Sequence, residues 1–134
     1  DRLDGVASLT RSVEPLVEIP RVRQAPLGDL TRRWFTCPHI DLFTWQNTAR
    51  EIVKFELCYD KQGKERSLIW SDPGGFSHSR IDGGEDSVFK NQTPIAIADG
   101  DYDREAIALD LEPLAVKLEP SVYRVLMRVL WLGR

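Results

Sequence analysis

His78, Asp82, Glu85 and Asp86 fall within a glycine-rich stretch and are the side chains best suited to chemistry. An imidazole beside carboxylates can hold a divalent cation, or pass a proton as general acid and base. His78, Asp82 and Glu85 are therefore the candidate catalytic residues, and Asp86 joins them as a candidate metal ligand. The H-E-x-x-H spacing that sets two imidazoles on one helical face is missing, and the chain has only 2 histidines. Polar side chains in such a stretch also hydrogen-bond their own backbone in turns, which is the plainer reading and the preferred one. No cofactor is expected.

Other groupings are weaker. Asp99-x-Asp101-x-Asp103 copies the opening of a calcium loop, but Arg104 stands where glycine belongs and Asp110 where a bidentate glutamate belongs. Capping of the following helix explains these acids better. Cys37-Pro-His39 sets a thiol near an imidazole, whereas a cysteine nucleophile normally draws its histidine from far along the chain. The run 71–75 has the glycines of a phosphate cradle without the Gly-Lys-Ser/Thr that completes one. For a ligand, Arg33 of the Arg32-Arg33 pair could meet an anion, and Trp70 or Phe76 could line a cavity. Solvated strand ends and aromatic core are the plainer readings of those residues.

These side chains need elements to position them. Apolar and polar residues mostly alternate in the segments 41–45, 51–59 and 66–70, the period of a sheet with one covered face. Val53, Phe55, Leu57 and Tyr59 share one face of the middle segment; Lys54, Glu56 and Cys58 take the other. Short polar connectors at 46–50 and 60–64 suit hairpins, with Gly63 the expected site of positive φ. A short strand is expected over 32–36 and a last one over 93–98. Between them, residues 71–86 read as a long turn holding a brief strand around 76–81.

The C-terminal third reads as helical. Ile107, Leu111, Leu114 and Leu118 recur at helical steps, with Pro113 expected to kink or split the helix. Pro120 suits the first turn of a second helix over 121–132, whose apolar stripe is widened by Tyr123, Met127 and Trp131. That breadth makes Tyr123, Met127 and Trp131 the expected interface of a homo-oligomer, although burial of a terminal helix explains the same pattern. Residues 1–29 read as an extended arm, broken by Pro15, Pro20 and Pro26, with Val17, Ile19 and Val22 as its apolar contribution. Residues 30–134 form the single domain.

With 134 residues, 42% of them hydrophobic and 29% charged, the chain is an ordinary globular one. A net charge of −3 argues against a protein built to grip nucleic acid, and no apolar run is long enough for a bilayer. A soluble protein is expected, with the cytoplasm as the default compartment. The chain begins at Asp1, which leaves processing open. Cys37 and Cys58 are expected as free buried thiols, one bridge between them being the alternative.

Arg32-Arg-Trp-Phe, the run 55–61, Trp70, Gly75-Phe-Ser-His78, Ile81-Asp82-x-Gly84-Glu85, Pro94-Ile and Asp99-Gly100 together resemble a group of short bacterial proteins of unassigned function. The resemblance spans about residues 30–130 and implies a compact α+β unit that occurs on its own. It implies no activity, and makes 78–85 the most characteristic stretch. Pro113 departs from the pattern.

The expected fold is α+β: an antiparallel meander of about five strands, covered on one face by two C-terminal helices. The expected function is a non-enzymatic binding or interaction module that self-associates. The alternatives are a small metal-dependent or acid/base enzyme acting at residues 78–86, and a carrier of a small apolar ligand held between sheet and helices.

Overall fold

Period-two alternation lays six strands side by side in chain order, one more than expected. In the computed structural model, which describes residues 14–24, 28–82, 95–98 and 102–134 (backbone alone at 82 and 95–98), a two-residue strand β1 (Val17–Glu18) opens the sheet. The meander follows as β2 (Thr31–Thr36), β3 (Asp41–Gln46), β4 (Ile52–Tyr59), β5 (Arg66–Ser71), β6 (Gly75–Asp82) and β7 (Ile95–Ala98). Each strand pairs antiparallel with the next.

The register decides which side chains meet. Phe35, Leu42, Leu57, Leu68 and His78 are successive cross-strand partners, so one row of the covered face runs from an aromatic through three leucines to an imidazole. Phe55, Trp70 and Phe76 form the neighbouring row. Full burial of each leucine or phenylalanine contributes about 1.5–3 kcal/mol, which makes these rows the main source of the fold's stability.

Two helices cover that face. Asp103 caps α1 (Arg104–Leu111), its carboxylate accepting from the Ala106 N–H at 3.1 Å. Pro113 brings no N–H and its ring crowds the preceding turn, so the α-helix stops at Leu111 and a 3-10 turn, Glu112–Ala115, follows. Of the kink or split expected at Pro113, the structure shows the split. Pro120 starts α2 (Pro120–Leu132), and Gly133, at φ 84°, ends it with its N–H donating to Val129 C=O. Arg104 Nε donates to Leu130 C=O at 2.7 Å, tying the start of α1 to the end of α2. Ile107, Ala108 and Leu111 of α1, with Val122, Leu126, Met127, Val129 and Leu130 of α2, close the core over the two sheet rows.

Two local expectations change, and one, the free buried thiols, holds. The described part of the arm is anchored by Leu16, which is fully buried and donates its N–H to Leu114 C=O at 2.8 Å, whereas Val17 points outward. Gly63 keeps negative φ; the hairpins instead place Asp60 (φ 56°) and Arg50 (φ 65°) in the left-handed region. Cys37 and Cys58 are free and buried.

Candidate functional site

Strand β6 explains where His78 goes. The sequence suggested a turn-rich stretch with only a brief strand, but the strand is eight residues long and turns His78 onto the helix-covered face beside Leu68. An imidazole there must be hydrogen-bonded, because an unpaired buried polar group costs about 1–3 kcal/mol. Tyr59, on the same face two strands away, reaches across β5, and its Oη shares a 2.6 Å hydrogen bond with His78 Nε2. The Tyr102 ring, just before α1, stacks on the imidazole at 4.5 Å between centroids. His78 is left 6% exposed.

Tyr59 and Tyr102, the two partners of His78, form one wall of a half-open cleft of about 680 Å³ between the ends of β4 and β5 and helix α1. Ile40, Leu57, Ile107 and Leu114 form its apolar floor, and Tyr59 and Tyr102 face it from the side. His39, Asp60, Arg66, Asp103 and Asp110 ring the mouth. Ligand sites are concave, roughly 300–1,000 Å³ in volume, and combine apolar walls with convergent polar groups; the cleft matches in volume and in its apolar floor, although its lining as a whole is more polar than such sites usually are. Arg66 Nη1 stands 4.0 Å from Asp60 Oδ2 at the rim. Chemically, the wall offers a phenol whose proton is shared with an imidazole.

The other sequence candidates scatter. Asp82 ends β6, paired with Ile95, and its side chain, like Glu85 and Asp86, lies outside the described residues. Asp99 and Asp101 lie outside them too, while Asp103 serves as the helix cap. Among the described residues no group of three His, Cys, Asp or Glu could hold a metal ion.

Arg33 was a candidate to meet an anion, with a solvated strand end as the plainer reading. It is instead an internal tie: its Nε and Nη2 donate to both oxygens of Glu18 at 2.7 Å, and Nη2 also donates to Glu119 at 2.9 Å. The Arg33 hydrogen bond holds the Glu18 carboxyl below the usual carboxylate range, and burial opposes it only in part. Trp70 is buried against Phe55 with centroids 5.6 Å apart, although its edge lines a small hollow of about 270 Å³ beside Val125 and Arg128. Phe76 lies under the Arg104 guanidinium, 5.2 Å from the ring centroid. Neither aromatic lines the large cleft.

Of the three expected interface residues, Met127 is a core residue and Tyr123 is half-buried, which leaves Trp131 and its neighbour Leu132 exposed. Helix α2 spends its broad apolar arc on two neighbours, the sheet and α1.

On the sheet's other face, Trp34 stacks on Phe43 at 5.8 Å, Arg32 lies 5.5 Å from the Phe43 centroid, and Lys54 lies 4.6 Å from that of Trp45. Asp41 gathers Trp34 Nε1, Thr36 Oγ1 and Lys61 Nζ at 3.0, 2.6 and 3.1 Å. Burial, helped by the charges of Glu56, Glu65 and Asp41, pushes the Cys58 thiol up to about 12, so it stays protonated and inert at neutral pH.

Sequence reasoning singled out His78 and missed its partners, Tyr59 and Tyr102. The available signal was parity: in a strand that begins at Gly75, His78 shares a face with Phe76, and a core-facing histidine calls for a partner with reach. No helix among the described residues is long and apolar enough to cross a membrane. No family model, curated protein or solved structure matches the chain.

Proposed function

We propose that the protein is a small-molecule binding module whose ligand lies in the cleft between α1 and the ends of β4 and β5. One observation carries this reading: an apolar floor of four side chains sits beneath a polar rim in a volume of ligand size. Displacing water from that floor supplies the driving force, and Tyr59 and Tyr102 supply orientation. The reading joins two of the sequence expectations, the binding module and the carrier, with a half-open and partly polar site in place of a closed apolar one.

Ala106 tests it. This residue lines the cleft from the exposed side of α1, so Ala106→Trp fills the volume without touching the core. In a thermal-shift screen of small amphipathic compounds, those that bind the wild type raise its Tm by mass action and lose that effect in the variant. Compounds that stabilise both proteins equally would place the binding site elsewhere and overturn the proposal.

A second reading is favoured by the 2.6 Å contact between Tyr59 Oη and His78 Nε2 at the cleft wall. A phenol and an imidazole sharing a proton next to a bound ligand form an acid/base pair. On this reading Tyr59→Phe keeps ligand binding and abolishes turnover. Unchanged turnover of a bound compound in that variant would leave the pair a purely structural one.

A further inference from the structure

The rim of the cleft carries more than hydrogen-bonding capacity: its charges are of unequal sign. Among the described residues at the rim, Asp60, Asp103 and Asp110 stand against one guanidinium, Arg66, which lies 4.0 Å from Asp60. Asp103 is held in place by capping α1, and capping leaves its charge intact. Asp110, exposed on α1, makes no ion pair with any described side chain. Field lines from carboxylates over a low-dielectric floor concentrate at the mouth and raise the local concentration of cations. Tyr59 and Tyr102 present aromatic rings in the same volume, and aromatic faces attract cations at short range. A metal ion is a poor fit, since no group of three ligating side chains forms among the described residues. The floor of Ile40, Leu57, Ile107 and Leu114 would waste a small hydrated ion, whereas an alkyl or aryl body covers it.

We infer that the ligand of this cleft is an organic cation, an ammonium group joined to an apolar body. The body lies on the four aliphatic side chains and the ammonium sits between the tyrosine rings and Asp110. This inference rests on the cleft reading above and adds the sign of the ligand to it.

Three probes of one shape separate charge from shape: choline, its neutral isostere 3,3-dimethylbutan-1-ol, and the anion 3,3-dimethylbutanoate. Each is titrated at low salt into the full chain labelled with nitrogen-15, following the amides of Tyr102, Ala106, Ile107 and Asp110. Choline should bind roughly fivefold or more tightly than the alcohol, with the carboxylate weakest. Asp110→Asn, at an exposed site that holds no structural contact, should weaken choline roughly threefold and leave the alcohol unchanged. Equal binding of alcohol and choline at these amides, or tighter binding of the carboxylate, would overturn the cation assignment while leaving the cleft as the site. Shifts from none of the three at these amides would overturn both.

Discussion

Two of the hollows among the described residues, both on the covered side of the sheet, differ in what lines them. One lies against α1, with about 680 Å³ over Ile40, Leu57, Ile107 and Leu114. The other, of about 510 Å³, lies where β2 and the β3–β4 hairpin meet the start of α2, and every residue lining it is polar: Thr31, Arg33, Gln46, Asn47, Arg50, Glu119 and Ser121. In the second, the central charge is already spent, because Arg33 binds Glu18 of the arm and Glu119 before α2. Water fills such a recess at little cost, and a ligand gains little by displacing it. Over an apolar floor, each square ångström removed from water is worth about 25 cal/mol, so similar volumes differ in what they can bind. Volume alone does not distinguish the two hollows; an apolar floor beneath a polar rim does.

Substitutions can break this contrast at either hollow. The largest effect is expected for Leu57→Ala, since Leu57 is fully buried and serves both core and cleft floor. Urea unfolding should show a loss of about 2–5 kcal/mol. Tyr59→Phe, which removes the hydrogen bond to His78, should cost about 1–2 kcal/mol by the same assay. Arg33→Ala should cost about 1 kcal/mol, because both carboxylate partners are well exposed, and should leave affinity at the α1 cleft unchanged.

Glu18→Gln sharpens the point through pH. The folded-state pKa of Glu18 is lowered, chiefly by the Arg33 hydrogen bond, so its contribution is complete above the unfolded value, roughly 4.3, and fades as pH falls through the lower folded value. Unfolding curves of the variant and the wild type should therefore differ at pH 6 and converge in acid. The smallest effect is expected at Arg50, whose φ of 65° suits glycine better. Arg50→Gly should be neutral to about 1 kcal/mol stabilising in thermal unfolding, with no loss of ligand binding.

Much of this architecture could be read from local pattern. Alternation over 41–70 sets the central hairpins, Pro113 forces the end of α1, and the aliphatic steps in 120–132 set α2. The cleft could not be read that way, because Tyr59, His78 and Tyr102 belong to three separate segments that meet only through strand register and the return of α1. Met127 shows the same limit. A broad apolar arc on a terminal helix looks the same whether it meets a second subunit or, as here, both a sheet and a neighbouring helix. Arg33 looked like an available cation because its partners, 15 residues before it and 86 after it, are invisible to local spacing.

The most direct measurement is an amide shift map of the protein against a set of small amphipathic fragments, scored at the two hollows. Shifts should cluster at Tyr59, Tyr102, Ala106, Ile107 and Asp110 around the cleft and disappear in Ala106→Trp. Shifts clustered instead at Thr31, Asn47, Arg50 and Ser121 would contradict the assignment of the ligand site to the hollow with the apolar floor.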